Sequence, residues 1–175
     1  MSDTLTKQRS KKPSSLVHVR RESGRWIGAK SANGVVGYYV HGPTGKIMGK
    51  AFTPSNLIEA LNIGLPVKEL ADLQASLAVP TEKLAPMLGI SKATFHRRKG
   101  AGERLGLAES DRVVRFARLL GQAIKVLGDG EDARQWLNSP QFGLGGAVPL
   151  DYAKTEVGAR EVENLLGRIE HGVYS

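Results

Sequence analysis

Residues 91–99 read SKATFHRRK, a close cluster of groups able to hold a polyanion. Lys92, Arg97, Arg98 and Lys99 supply charge, His96 an imidazole, and Ser91 and Thr94 hydroxyls. On a helix these types can hold phosphate oxygens and reach base edges in a major groove. The alternative is a helical hairpin with a solvated basic face. Other candidates for chemistry are weaker. The four histidines, at 18, 41, 96 and 171, lack the HExxH spacing of a metal site, and no serine sits in a nucleophile elbow. GPTGK (42–46) has two residues between its glycines, where a phosphate loop needs four, and Ile47 follows where Ser or Thr belongs. It reads as a hairpin turn. GLGG (143–146) has neither a preceding strand nor a basic residue within it and reads as a tight connector. Glu163 and Glu170 stand two turns apart on one helix, whereas paired-carboxylate catalysis needs opposing walls. No catalytic residue, metal site or cofactor is expected, and the chain is not expected to be an enzyme.

The basic stretch needs elements to present it. PTEKLAPMLGISKATFHRRK (80–99) has the form of a helix-turn-helix, with Ala85 where the helices approach, Gly89 at the turn and Phe95 locking the second helix. Leu84, Leu88 and Ile90 pack beneath, and Ser91 is the expected N-cap. Pro86 conflicts with this pattern. Five residues after a cap at Thr81, it removes a hydrogen bond and costs about 3 kcal/mol in a helix interior. The helix either starts later or begins irregularly.

Charge divides along the chain. Residues 1–50 hold ten Lys/Arg against two acids, 51–128 eleven against seven, and 129–175 four against eight. A basic front suits nucleic acid; an acidic back repels it and suits a basic protein face. Cysteine is absent, and hydrophobic content of 41% is enough for a packed core. No apolar run approaches a membrane span and no secretory signal is recognisable, so a cytoplasmic protein is expected.

Four segments follow. Residues 1–15 form a basic arm, with Lys7, Arg9, Lys11 and Lys12, predicted to be disordered. Residues 16–56 form a small β-rich extension of short runs, LVHV, WIGA, GVVGYYV and KIMGKAF, separated by turn signals. Residues 57–128 carry the helix-turn-helix and a long helix over about Glu109–Leu127. Its stripe of Val113, Phe116, Ala117, Leu120, Ile124 and Leu127 serves a core or a homodimer, with Arg112, Arg115 and Arg118 off it. Residues 129–175 carry a short helix around Trp136, the glycine-rich connector, a turn of helix after Pro149, and a last helix capped by Thr155. That helix points Val162, Leu165, Leu166 and Ile169 at the core. Its Glu156, Arg160, Glu163 and Glu170 are left free for a partner. Gly172 is expected to end it in a left-handed conformation.

GISKATFHRRK, SDRVVRFARLL, WLNSPQFGLGGAVPLD and GAREVENLLGRIEHGVYS together resemble the Xre/MbcA/ParS antitoxins, over about residues 57–175. The resemblance implies a mostly α fold, an Xre-like helix-turn-helix domain joined to a small helical toxin-binding domain, with the short β-hairpin-rich N-terminal extension outside it. It implies a protein that holds a RES-domain, NAD-degrading toxin inactive and represses its own operon by binding operator DNA. A cleft for NAD carries positive charge for the cofactor's phosphates, so an inhibitor can fill it with negative charge and an aromatic ring. Glu170, Tyr174 and the Ser175 carboxylate are the candidates for such a plug, Arg168 and Val173 would place it, and Glu163 is a further toxin-binding candidate. The other reading is a DNA-binding transcriptional regulator with no toxin partner.

Overall fold

The computed structural model describes residues 34–42 and 46–173. The basic arm, the LVHV and WIGA runs, Tyr174 and Ser175 lie outside them. Among the described residues the fold is mostly α, with one short antiparallel hairpin. The order is α1 (Val35–His41), β1 (Lys46–Ile47), β2 (Lys50–Ala51), α2 (Pro54–Ile63), α3 (Val67–Leu77), α4 (Thr81–Met87), α5 (Lys92–Ala101), α6 (Leu107–Leu127), α7 (Gly130–Asn138), a 3-10 turn (Phe142–Leu144), α8 (Pro149–Tyr152) and α9 (Glu156–Glu170).

GVVGYYV, read from its sequence as β, is the helix α1. Two distant residues account for this. The Glu69 carboxylate of α3 accepts from the Val35 and Val36 amides at 3.2 and 3.0 Å, satisfying two donors that a helix start leaves bare. At Gly121 of α6, an added Cβ would lie 2.2 Å from the Tyr39 carbonyl oxygen, so only glycine lets α1 lie this close. Tertiary partners thus outweigh the β preference of Val and Tyr. A hairpin follows α1. Among the described residues its turn falls at Met48–Gly49, φ 51° and 80°, the left-handed pair of a type I′ turn; Gly42 of GPTGK caps α1, and residues 43–45 lie outside the described residues.

Local rules account for more of the helical region. The Thr53 hydroxyl accepts from the Asn56 amide at 3.2 Å with Pro54 in the first turn, and the Thr155 hydroxyl accepts from Gly158 at 3.1 Å. In α4 the cap is Pro80 rather than Thr81, whose hydroxyl instead accepts from the Gln74 side chain at 2.9 Å. The helix runs through exposed Pro86 and stops one residue later. A proline in this final turn interrupts a single hydrogen bond, because little helix remains to be broken.

Helix α6 organises the core. Val113, Phe116, Ala117, Leu119, Leu120 and Ala123 are fully buried. They share one continuous core with Leu84, Leu88 and Phe95 of the helix-turn-helix and with Leu137, Leu150, Val162 and Leu166 of the C-terminal helices. Each fully buried Leu or Phe contributes roughly 1.5–3 kcal/mol through burial. Leu165 and Ile169, expected to face that core, are only half-buried.

Burial holds the Glu69 carboxyl above the usual carboxylate range, opposed by the two backbone donors. Its contribution therefore favours folding most at low pH and declines as pH rises through the raised value. Replacing Glu69 by Ala leaves two amides without their acceptor. The expected cost is about 1–3 kcal/mol in urea unfolding, with faster amide exchange at Val35 and Val36.

Candidate functional site

The turn between α4 and α5 is built from both sides. Gly89 has φ 78°, and a Cβ there would lie 2.5 Å from Nη1 of Arg112. That guanidinium donates to the Leu88 carbonyl at 2.8 Å, pinning the turn to α6. The Ser91 hydroxyl accepts from the Thr94 amide at 3.1 Å and donates to the Thr94 hydroxyl at 2.9 Å, which opens α5 as its sequence indicates.

The cations of α5 divide into three kinds. Lys92, His96 and Lys99 lie on one exposed stripe at helical spacing. Lys92 is ion-paired with Glu82 of α4, and Lys99 lies 5.8 Å from the Phe95 ring centroid. Arg97 is exposed and bonds Glu103 at 2.7 Å. Arg98 is different. Its sequence groups it with the cations available to a polyanion, but its side chain is 24% exposed, turned to Glu109 of α6 at 2.7 Å and to Glu103 at 3.6 Å. Glu109 also accepts from the Gly106 amide at 2.7 Å, so Arg98 braces the start of α6. Ser91, Lys92, His96, Arg97 and Lys99 are exposed, and Thr94 is half-buried.

The acidic face of α9 is not free, contrary to its reading from sequence. Glu156 bonds Arg115 at 3.0 Å, Glu163 bonds Arg118 at 2.7 Å, and Glu170 bonds Lys125 at 2.8 Å. Three carboxylates of α9 thus meet three cations of α6, and the Lys125 bond holds the Glu170 carboxyl below its usual range. Arg160 shares Glu156 at 3.4 Å. Arg168, half-buried, makes no ion pair among the described residues. Its carbonyl accepts from the Val173 amide at 2.9 Å while Gly172, φ 67°, donates to Ile169 at 3.2 Å. This pair of bonds is a Schellman ending, and it leaves Val173 53% exposed.

Two features escaped the sequence reading. Trp136 lines a surface cleft of about 410 Å³ with Leu127, Asp132, Gln135, Ser139 and Gln141, rather than lying wholly in the core. Phe142, inside what reads as a connector, is completely exposed. A phenylalanine between Pro140 and a run of glycines was the available signal. Among the described residues, no three His, Asp or Glu side chains converge as a metal site, and no helix is long and apolar enough to cross a membrane.

Residues 57–118 match the Antitoxin Xre-like helix-turn-helix domain, and residues 122–172 match the Antitoxin Xre/MbcA/ParS C-terminal toxin-binding domain. An Antitoxin Xre of Yersinia enterocolitica is 32% identical over 120 residues, 68% of this chain and 81% of the relative. The chain belongs to the Xre/MbcA/ParS antitoxin family. An Antitoxin Xre of Photorhabdus laumondii is 36% identical over 116 residues, 66% of this chain and 78% of its own. A Prs ADP-ribosylating antitoxin of a Sphingobium strain is 28% identical over 132 residues, covering 70% and 83%. The antitoxin therefore combines a helix-turn-helix DNA-binding domain with a toxin-binding domain, and the two matched segments meet within α6.

Bracing and contact separate experimentally. Arg98→Ala should lower stability to urea by about 1.5–3 kcal/mol, because it strips a charged hydrogen-bond network. Lys99→Ala should cost less than about 1 kcal/mol while reducing the salt slope of DNA binding by about one.

Proposed function

We propose that this antitoxin neutralises a RES-domain, NAD-degrading toxin by seating its C-terminal segment in the toxin's cofactor cleft, as part of a type II toxin-antitoxin system in the cytoplasm. In this reading it also binds operator DNA as a homodimer and represses its own operon. It acts by binding and not by catalysis.

The observation that carries this reading is the end of α9. The Schellman turn halts the helix with Val173 exposed, immediately before Tyr174 and Ser175, on a segment holding eight acids against four bases from residue 129 onward. A cleft that binds a dinucleotide's phosphates carries positive charge, and such a segment complements it. The Sphingobium relative, whose name refers to ADP-ribosylation, supports a partner that handles NAD, since NAD is the usual ADP-ribose donor. Glu170 and Glu163 remain candidates on terms that the ion pairs set. Each would exchange its α6 partner for a toxin cation, and the Glu170 pair, at the surface, is held only weakly. Arg168, Val173, Tyr174 and Ser175 complete the proposed contact. Ser91, Lys92, Thr94, His96, Arg97 and Lys99 are the proposed operator contacts, with Arg98 positioning α5.

Co-expression with the product of the adjacent reading frame, which this reading expects to be a RES-domain protein, tests the proposal. The intact chain should restore growth and NAD content, and a chain lacking residues 172–175 should not. Full protection by the shortened chain would sink the plug, and no protection by the intact chain would sink the choice of toxin. Arg97→Ala should weaken operator binding roughly tenfold in a gel-shift titration, leaving growth protection intact.

A further inference from the structure

We propose that Phe142 is the anchor on which the toxin docks, a contact separate from the C-terminal plug and rigidly displayed for that purpose. This deepens the reading above and rests on it.

Isolated exposed apolar side chains are ordinary on protein surfaces, so exposure alone is not the argument. Met48, Ile58, Leu107 and Val157 are exposed too, but each keeps a quarter or more of its surface covered, at 50%, 61%, 57% and 74%. Phe142, at 101%, rests on nothing. Yet the backbone beneath it is held tightly. The Gln141 amide bonds the Ala147 carbonyl at 3.0 Å, closing the loop, and the amides of Leu144 and Gly146 both donate to the Gln141 carbonyl at 3.0 Å. The Phe142 carbonyl itself accepts from Gly145 at 2.9 Å. The Gln141 side-chain amide donates to Trp136 and Ser139 carbonyls at 2.9 and 3.1 Å, tying the turn to the end of α7. Gly143 sets it on α9, since an added Cβ would stand 2.6 Å from Leu165 Cδ1.

A large aromatic ring on a fixed backbone loses little entropy when covered, the property of residues that dominate interface affinity. The occupant follows from location. The turn lies inside the segment matched as a toxin-binding domain, and it packs on α9, the helix that continues to Arg168 and Val173. The surface is therefore continuous with the family's binding domain and far from the basic α5 stripe in sequence. The turn meets α9 at Leu165, about one helical turn before Arg168.

The probe is the same product of the adjacent reading frame, expected to be a RES-domain protein, titrated with full-length chain by calorimetry. Phe142→Ala should weaken binding by about 30-fold or more, with melting temperature and operator binding unchanged, and Phe142→Leu should restore part of the loss. The chain lacking residues 172–175 should behave oppositely, still docking while failing to inhibit. Affinity of Phe142→Ala within about threefold of the intact chain overturns the anchor alone. If the intact chain does not bind this toxin, the reading falls and the anchor with it. If Phe142→Ala instead changes sedimentation of the free chain and leaves toxin affinity intact, a second copy is the occupant, and the proposal is wrong.

Discussion

Helix α6 is a single hydrogen-bonded rod of 21 residues, about 30 Å long, and it has to satisfy several neighbours at once. Gly121 admits the α1 backbone; Arg112 and Glu109 hold the turn and second helix of the helix-turn-helix; Arg115, Arg118 and Lys125 meet the carboxylates of α9. The core contributed by its apolar side passes without a break from the DNA-binding helices to the toxin-binding ones. The two matched domains are thus halves of one packing unit, joined by a helix that belongs to both. A close-packed interior transmits strain rather than absorbing it, so a disturbance along α6 is felt at both ends.

The same helix changes the meaning of charge. Counting Lys and Arg on α5 gives a uniformly basic recognition helix, but the structure sorts them into braces and available groups. Arg98 is a brace because Glu109 is poised to receive both it and the Gly106 amide. On α9 the acids that seem open to a partner are spoken for by α6, most loosely at Glu170 near the helix end. A partner at that tip therefore meets side chains that can rearrange at the surface, whereas one approaching Arg98 would have to dismantle structure.

Legibility followed the range of the interactions. The Thr53 and Thr155 caps, the Ser91 cap, the Gly89 turn and the left-handed Gly172 each depend on neighbours within a few residues, and their local spacing identifies them. Pro86 misleads in its severity, because its cost depends on how much helix follows, and almost none does. For α1 the local signal points the wrong way. Val and Tyr favour strand and Gly disfavours helix until a carboxylate 33 positions away takes up one of the helix's first amides. Trp136 and Phe142 could not be placed from composition, since a bulky aromatic beside loop residues reads equally well as a plug in the core or as a knob in solvent.

By itself, then, the sequence determined the helix-turn-helix, the long α6 and the capped α9, the basic-to-acidic polarity and the family, because all of these are written in periodicity, capping and short motifs. Tertiary structure alone decided that GVVGYYV is a helix, which cations and carboxylates are consumed internally, and that Phe142 stands outside the core. The first two outcomes turn on pairs of groups 11 to 45 residues apart, whose distance in space no local pattern encodes.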